Sequence, residues 1–294
     1  MTSSKTILFF GTDEFSALSL RELIAKGFTI GAVITKPDAR KGRGQRVIEP
    51  IVKTIAKEHG IAVWQPTSTE ELIDHVRGVK DPVGVLVSYG RIIPQSVIDL
   101  FTPGIINVHP SLLPLYRGPS PVETAILNGD TVTGVTIMQL SKAMDAGPIY
   151  SQVTVDLSDT ETAPELEMQL GAVGAQELSL ILPSIINESL TPISQDESVA
   201  SYCHLLKKEA STPDFTTLSA EQAERRVRAY LAFPKTKATV VGHSIIITKA
   251  HIVSHAETAL DIACADGRYL RVEELIGPSG RSMNARAFLN GYSG

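Results

Sequence analysis

Two polar side chains, Asn107 and His109, stand two positions apart where the apolar run Ile105–Val108 ends. Because successive side chains of a β-strand alternate between faces, a strand here would present both on one face, ~6.6–6.8 Å apart along the chain. An amide can hold a carbonyl oxygen as it becomes an oxyanion, and an imidazole can donate to that oxygen or carry a proton. The pair suits acyl transfer. It equally suits a strand end whose polar side chains bond to loop backbone.

A carboxylate follows the next predicted strand, Val135–Leu140. It is Asp145, in the sequence Met144-Asp145-Ala146-Gly147. A carboxylate near an imidazole raises its basicity and fixes its tautomer, so Asp145 is a candidate partner for His109. Asp shortly before Gly is also a common turn sequence, and the residues alone leave both interpretations open.

The elements that must position these residues alternate between strand and helix over the first 155 residues. Apolar runs predict strands at Thr6–Phe10, Thr29–Thr35, Val83–Val87, Ile105–Val108 and Val135–Leu140, and helical spacing predicts a helix before Gly27 and another after Pro50. This alternation predicts an α/β fold with a Rossmann-like, mostly parallel sheet. The turn Gly11–Phe15 lacks G-x-G-x-x-G, and the chain has no P-loop sequence, so nicotinamide, flavin and P-loop nucleotide sites are not expected.

The second half of the chain changes character. The apolar, helical stretch Ala163–Ser189 closes the first domain, and the polar stretch Leu190–Ser201 predicts a linker. One helical pattern follows at Ser219–Leu231. The remaining short β-like runs predict a small OB-like β-barrel; they are Thr236–Val241, Ser244–Val253, Ala259–Ala263 and Tyr269–Ile276. The predicted domains are 1–189 and 207–294, joined by a linker at 190–206.

Composition excludes several classes of protein. With 294 residues, 43% of them hydrophobic and 20% charged, the chain can bury a large core and is not disordered. Its two cysteines, Cys203 and Cys264, are too few for a disulfide scaffold or a cysteine zinc site. No apolar run approaches the ~18 residues of a membrane span, and the start is too short for a signal peptide. We therefore expect a cytoplasmic, soluble monomer without a metal or a membrane partner.

One segment, Lys36–Arg46, is strongly basic. Five cations stand against Asp38 alone, a net charge of +4 in eleven residues; they are Lys36, Arg40, Lys41, Arg43 and Arg46. With Gln45–Glu49 the segment forms a predicted connection of roughly 14 residues, near the length above which loops tend to be functional. Gly42 and Gly44 predict mobility. Such a loop suits phosphate contacts with a nucleic acid, and it also suits a solvated surface loop.

Charge is unevenly divided along the chain. The formal charge is −5 overall, but +2 from Lys208 onward and −7 before it. Basic residues of the predicted C-terminal domain suggest a face for RNA; they are Arg225, Arg226, Arg228, Lys235, Lys237 and Lys249.

Taken together, these segments resemble the signature of formyltransferases that use 10-formyltetrahydrofolate. The matching segments are Asn107–Pro114, Arg117-Gly118, Gly129-Asp130, Thr133–Thr136 and Met144–Gly147. Three more narrow the resemblance to the branch that acts on methionyl-tRNA, namely Phe10-Gly11-Thr12 followed by Phe15, Lys36-Pro37-Asp38 before Gly42-Arg43-Gly44, and the ending Met283–Tyr292. The similarity covers nearly the whole chain. One position departs, since the family commonly has Gly where this chain has Pro110, which lacks an N–H.

The resemblance implies roles for these residues. Asn107, His109 and Asp145 match the catalytic trio, and Ser111, Leu112, Leu113 and Pro114 match the loop that contacts the folate. The basic segment would bind initiator methionyl-tRNA, with 10-formyltetrahydrofolate as the formyl donor and no metal. Two alternatives remain open: a formyltransferase for an amino-sugar nucleotide, since such enzymes also tolerate Pro at position 110, and an inactive tRNA-binding relative.

Overall fold

A computed structural model describes residues 5–41 and 46–292 of the chain, which divides into two compact units. The first unit comprises Met1–Gly118, Thr133–Val155 and Glu167–Tyr202; the second comprises Pro119–Val132, Asp156–Leu166 and Cys203–Gly294. The segment predicted as a linker, 190–206, is thus divided between the two units at Tyr202.

Strands and helices alternate through the first unit and strands dominate the end of the second. The strands are β1 Thr6–Phe10, β2 Ile30–Ile34, β3 Ala39–Lys41, β4 Arg46–Ile48, β5 Ala62–Trp64, β6 Pro82–Leu86, β7 Ile105–His109, β8 Val132–Gln139, β9 Ile149–Asp156, β10 Thr236–Val240, β11 His243–Val253, β12 Asp261–Ala263, β13 Tyr269–Ile276 and β14 Ser282–Asn284. The α-helices are α1 Glu14–Ala25, α2 Ile51–Glu58, α3 Thr69–Arg77, α4 Gln95–Ile98, α5 Pro121–Asn128, α6 Ala163–Ile186, α7 Ala220–Ala229 and α8 Ala285–Tyr292. Short 3₁₀ turns lie at Glu197–Val199, Lys208–Ser211 and Phe215–Thr217.

The first unit is built on a seven-stranded sheet in the order β5-β2-β1-β6-β7-β8-β9. The pairs β2–β5, β1–β2, β1–β6 and β6–β7 are parallel, and β7–β8 is antiparallel. The predicted Rossmann-like, mostly parallel sheet is confirmed. Both faces of such a sheet are covered, which explains why β1 and β7 are apolar runs rather than alternating sequences. In open sheets of this kind ligands bind beyond the carboxyl ends of the strands, where β7 carries His109.

Helix α1 follows β1 directly and supplies its own N-terminal cap. The carboxylate of Asp13 accepts a hydrogen bond from the Ser16 amide at 3.2 Å and another from the Ser88 hydroxyl. A helix N-terminus attracts phosphate when its amides are free. Here a side-chain carboxylate fills that position, in keeping with the missing glycine fingerprint.

Helix α6 packs closely against the sheet where Gly174 faces it. A Cβ on Gly174 would lie 2.7 Å from Val108 of β7. Among the described residues, α6 is the one helix that is long and apolar enough to cross a membrane. The sequence did not predict a segment of this kind. Its Leu170, Leu178 and Leu182 are fully buried, as in the core helix of a globular domain.

The basic segment contains a hairpin that the sequence did not predict. β3 and β4 pair antiparallel, with Lys41 opposite Arg46. The base of this hairpin is anchored by Asp38, which accepts hydrogen bonds from Lys53 at 2.7 and 2.8 Å and from Gln65 at 2.9 Å. The tip, with Gly42, Arg43 and Gly44, lies outside the described residues. The prediction of a long loop was therefore wrong for its two ends, which are strands.

The second unit contains a five-stranded antiparallel sheet in the order β10-β11-β13-β12, with β14 also paired to β13. Strands β12 and β14 both pair with β13, β12 near its start and β14 near its end. The sheet forms a half-barrel, as the predicted OB-like class requires. Helix α7 begins with a complete capping box formed by Ser219 and Gln222. The core beneath it is apolar and includes Val227, Ile245, Leu270 and Phe288.

Candidate active site

β7 carries the two residues whose spacing suggested acyl transfer. Asn107 lies opposite Leu86 of β6 and Met138 of β8, and His109 lies opposite Thr136. Both side chains are nearly buried, at 6% and 5% exposure. Because they are two residues apart in a strand, they share one face.

The Asn107 side chain makes no hydrogen bond to any residue in the described part of the chain. Its amide atoms are not among the fully buried polar atoms that lack a partner, so they reach the surface of the site. A nearly buried amide without a protein partner is therefore available to bind a ligand oxygen.

The His109 ring is held in one tautomer by backbone. Its Nε2 lies 3.0 Å from the carbonyl oxygen of Tyr116. A carbonyl oxygen only accepts, so Nε2 carries a hydrogen, and in the neutral ring the lone pair is on Nδ1. Nδ1 faces the Asp145 carboxylate, with 3.8 Å between Nδ1 and Oδ2. A proton taken up on Nδ1 would thus create a cation beside an anion.

Asp145 comes from the loop between β8 and β9. β8 ends opposite Ile106 near the start of β7, so this loop runs back along the sheet to reach His109. The Gly118 amide donates to Asp145 Oδ2 at 2.8 Å, which fixes the position of the carboxylate. The structure therefore brings together Asn107, His109 and Asp145, as the resemblance implied; their roles stay a prediction.

The segment predicted to contact the folate is folded into the protein. Ser111 is fully buried and its hydroxyl donates to the Leu115 carbonyl at 2.6 Å. Leu113 is also buried, and its amide and carbonyl are bound by Thr136 at 3.0 Å and Gln152 at 2.8 Å. Leu112 and Pro114 are half-buried. The segment fixes the loop after His109, and folate contact by its remaining surface stays a prediction.

The residues predicted to bind tRNA are spread along the hairpin. Arg40 is exposed on β3, and Lys41 and Arg46 pair through their backbone, while Arg43 lies outside the described residues. Lys36 lies apart from the others, because its ammonium group is packed over Gly90, where a Cβ would stand 2.2 Å from Nζ. The structure therefore separates Lys36 from the strands of the hairpin.

The sequence offered no sign of a buried arginine next to this site. Arg117 is completely buried, and its guanidinium holds both oxygens of Glu197, at 2.7 and 2.9 Å. This carboxylate raises the pKa of Arg117, and the arginine in turn lowers the pKa of Glu197. Glu197 belongs to the stretch predicted as a linker, which is therefore bound to the first unit. Ile149 and Ile193 add two reciprocal backbone hydrogen bonds.

Comparisons with known proteins agree with the resemblance. Residues 5–182 match the model of the formyl transferase family, and residues 205–293 match that of the formyl transferase C-terminal domain. The methionyl-tRNA formyltransferase of Methylococcus capsulatus is 36% identical over 98% of this chain and 97% of its own length. That of Geobacter metallireducens is 33% identical over 97% and 95%.

Solved structures share the fold at lower identity. An N-formyltransferase from Helicobacter canadensis, in complex with folinic acid and dTDP-3-aminofucose, is 20% identical with a TM-score of 0.68, covering 91% of this chain and 98% of that one. HypX from Aquifex aeolicus, in complex with tetrahydrofolic acid, is 16% identical with a TM-score of 0.65, covering 99% of this chain and 48% of that one. On the family models and the curated relatives, the chain belongs to the methionyl-tRNA formyltransferase family.

Proposed function

We propose that this protein transfers the formyl group of 10-formyltetrahydrofolate to the α-amino group of initiator methionyl-tRNA, giving N-formylmethionyl-tRNA for translation initiation. The observation that carries the proposal is the unpartnered Asn107 amide on the same face of β7 as His109, whose Nδ1 faces Asp145. Relatives that cover nearly the whole chain bear the name of this activity.

The reaction requires an oxyanion partner and a proton acceptor. The neutral amino group attacks the formyl carbon, and the carbonyl oxygen becomes an oxyanion to which the Asn107 amide donates. His109 Nδ1 accepts the proton that the amine loses, and Asp145 stabilises the resulting imidazolium. The bond between the formyl carbon and N10 of the folate then breaks, and N10 takes up the proton that His109 returns, which leaves the imidazole neutral again.

The hairpin supports a role in tRNA binding. Its one acid, Asp38, is already paired with Lys53, which lowers the pKa of the Asp38 carboxyl. No described carboxylate pairs with Arg40, which is exposed. We propose that Arg40, Lys41, Arg43 and Arg46 contact tRNA phosphates, with Lys36 closer to the end of β6. Gly-containing basic loops suit such contacts because they position RNA without reading its sequence.

The second unit is proposed as a further tRNA surface, but a smaller one than the number of its basic residues from Lys208 onward suggests. Arg225 and Arg228 both pair with Asp159, at 2.9 and 2.7 Å. Arg226 donates to the Ala210 carbonyl, and Lys249 pairs with Glu273 at 3.1 Å. Lys235 and Lys237 have no carboxylate partner among the described residues. We therefore assign phosphate contacts to these lysines.

A catalytic region within residues 1–189, a tRNA-binding region within residues 207–294, a monomeric state and a cytoplasmic location complete the proposal. They accord with an enzyme that meets its tRNA where translation begins.

The test is a parallel assay of the purified full-length protein with 10-formyltetrahydrofolate. Methionyl-tRNA, unacylated tRNA and amino-sugar nucleotides are offered as acceptors, and formylated product is measured. We expect transfer to methionyl-tRNA alone. Formylation of the sugar nucleotide would favour the chemistry of the Helicobacter canadensis neighbour, and tRNA binding without transfer would indicate an inactive relative.

A further inference from the structure

The turn that carries Asp145 has an unusual backbone conformation. Asp145 adopts φ +49°, in the left-handed region that non-glycine residues rarely enter. Two residues later, Gly147 approaches β8 so closely that a Cβ would stand 1.8 Å from the Gln139 carbonyl oxygen. Such a backbone persists only where its surroundings determine it.

Gln195 is bound to both ends of this turn. Its Nε2 donates to the carbonyl oxygens of Asp145 and Gly147, each at 2.7 Å. Two short hydrogen bonds from one amide fix the orientation of both peptide planes. The direction of the Asp145 side chain follows from the backbone at that residue. Gln195 therefore determines where the Asp145 carboxylate points.

Arg117 fixes Gln195 in turn. The Gln195 Oε1 accepts from Arg117 Nε at 3.0 Å and from Nη2 at 2.7 Å, so the amide cannot rotate its donor side away from the turn. Arg117 is itself buried and held by Glu197 and by Tyr202, whose hydroxyl lies 3.1 Å from Nη1. The next residue, Gly118, donates to the Asp145 carboxylate. One arginine thus reaches Asp145 by two routes.

We propose that Gln195, set by Arg117, is a positioning residue for catalysis that acts through Asp145. The proposal rests on the role of Asp145 in the proposed function. It makes part of the stretch 190–202 a component of the active site rather than a connection between domains. Neither residue touches the reacting atoms, so the expected effect is on turnover and not on substrate binding.

The decisive variant is Gln195→Glu. Its carboxylate still accepts from Arg117, but it has no hydrogen to donate to the turn. We expect kcat to fall by about 10- to 100-fold, the range produced when a group remote from the chemistry shifts a reacting group by about 1 Å. KM for methionyl-tRNA and for the folate should stay within twofold, and the melting temperature should change little because the Arg117 contact remains. If Gln195→Glu fails to fold, Gln195→Met is the second variant. Its side chain has a similar length but neither the amide donor nor the amide acceptor.

The matched control is Gln222→Glu. It makes the same substitution in the capping box of α7, where Glu fills the position as well as Gln does. Its kcat should equal that of the parent. A reduced kcat in Gln195→Glu with a normal Gln222→Glu supports the proposal; parental kcat in Gln195→Glu, or a change in KM alone, would overturn it.

A double-mutant cycle separates positioning from general support of the fold. If Gln195 acts only through Asp145, then Gln195→Glu should cost nothing further once Asp145→Asn has removed the charge. Losses that multiply would show an independent role and overturn the inference. Asp145→Asn alone tests the proposed function: full activity there would remove the role of Asp145, whereas an inactive Asp145→Asn beside a fully active Gln195→Glu would refute this inference alone.

Discussion

The two units use arginine side chains for different ends, as Arg117 and Arg271 illustrate. Both hold a carboxylate with two hydrogen bonds of 2.7–2.9 Å. Arg117 also donates to the Tyr202 hydroxyl and to Gln195, which in turn binds the turn that carries Asp145. Arg271 holds Asp261, its register partner on the neighbouring strand, and Glu257. In the first unit the polar network extends to the turn of the proposed site, and in the second it joins two neighbouring strands.

This difference bears on how charge predicts function. From Lys208 onward the chain carries a net charge of +2, yet the described structure pairs several arginines of this stretch with carboxylates of the same unit. A cation bound in this way offers little attraction to a phosphate. A count of basic residues therefore overstates the surface that the second unit is proposed to offer to RNA, and the cations without an acidic partner among the described residues become the ones to test.

The largest effect should come from the first unit. We expect His109→Ala to lower kcat by about 10²–10⁴-fold, the usual contribution of a general acid or base, because no other group faces the site with a free imidazole nitrogen in the described structure. The measurement is single-turnover formylation of methionyl-tRNA. His75→Ala is the control: this histidine lies on α3 in the same unit, stacked on Trp64 with centroids 4.8 Å apart, and its loss should leave kcat within twofold. If His109→Ala kept the parental turnover, His109 would not be a catalytic residue and the proposed site would be wrong.

Much of this fold follows from local pattern. Apolar runs separated by glycine and helical spacing predicted the parallel sheet, since its strands are buried on both faces. The hairpin β3–β4 escaped prediction because Ala39–Lys41 and Arg46–Ile48 have no apolar alternation; only pairing makes them strands. Helix α3 was also missed, although Ser68 caps it and its apolar residues share one face.

The residues of the candidate site also fall into two groups, those that the sequence could predict and those that it could not. The period of a strand places Asn107 and His109 on one face, so sequence reasoning reached that pair. Asp145 is 36 positions further on and was assigned by resemblance, because no spacing rule specifies a loop that runs back along the sheet. Gln195 and Arg117 are 78 positions apart, and only the fold brings them together. The polar stretch Leu190–Ser201 was interpreted as a linker because its hydrogen-bond partners, Arg117 and the turn that carries Asp145, lie far away in sequence.

The next effect concerns the fold of the second unit. Gly129 ends α5 at φ +70°, and a Cβ there would stand 2.1 Å from the Arg225 guanidinium. Gly129→Ala should lower the free energy of unfolding by about 2–3 kcal/mol, from about 1–2 kcal/mol of left-handed strain and the disturbed pair of Arg225 with Asp159. Gly267→Ala, at φ +79° with open space around it, should show the strain alone. Equal losses in urea unfolding would show that Arg225 contributes nothing.

Acid should weaken the second unit through Asp261. Hydrogen bonds from Arg271 and from the backbone amides of Glu257 and Thr258 hold the pKa of this carboxyl far below its usual value. A carboxyl with a lower pKa in the folded state stabilises the fold while it is ionised. Its contribution is complete above about pH 4, the ordinary pKa of Asp, and is lost as the pH falls toward the folded value.

Asp261→Asn tests this at two pH values. At pH 7 it should cost about 2 kcal/mol, the worth of a hydrogen bond to a charged group, and the loss of stability between pH 4 and pH 2 should become shallower than in the parent. Asp99→Asn, on an exposed carboxylate of the first unit bonded only to Gln95, provides the comparison. Identical acid profiles for Asp261→Asn and the parent would contradict the assignment.

The smallest effect separates free from paired cations in tRNA binding. Lys237 lies on β10 beside a cavity of about 450 Å³ and has no carboxylate partner among the described residues, whereas Lys249 on β11 is paired with Glu273. This carboxylate raises the pKa of Lys249 and offsets its charge. Lys237→Ala should weaken tRNA binding and reduce the slope of log affinity against log salt by ~0.7–0.9, the value for one phosphate.

Lys249→Ala should leave that slope nearly unchanged. Lys249 is already neutralised by Glu273, so its removal breaks an ion pair within the protein and not a contact with a tRNA phosphate. Both variants replace one strand lysine by alanine, so differences in size or strand propensity cancel. The affinities are measured by titration of full-length protein with initiator tRNA between low and physiological salt. If Lys249→Ala lowers the slope as much as Lys237→Ala does, then ion pairs within the second unit do not decide which cations contact RNA. The contrast between the two units would then rest only on Arg117 and the turn that carries Asp145.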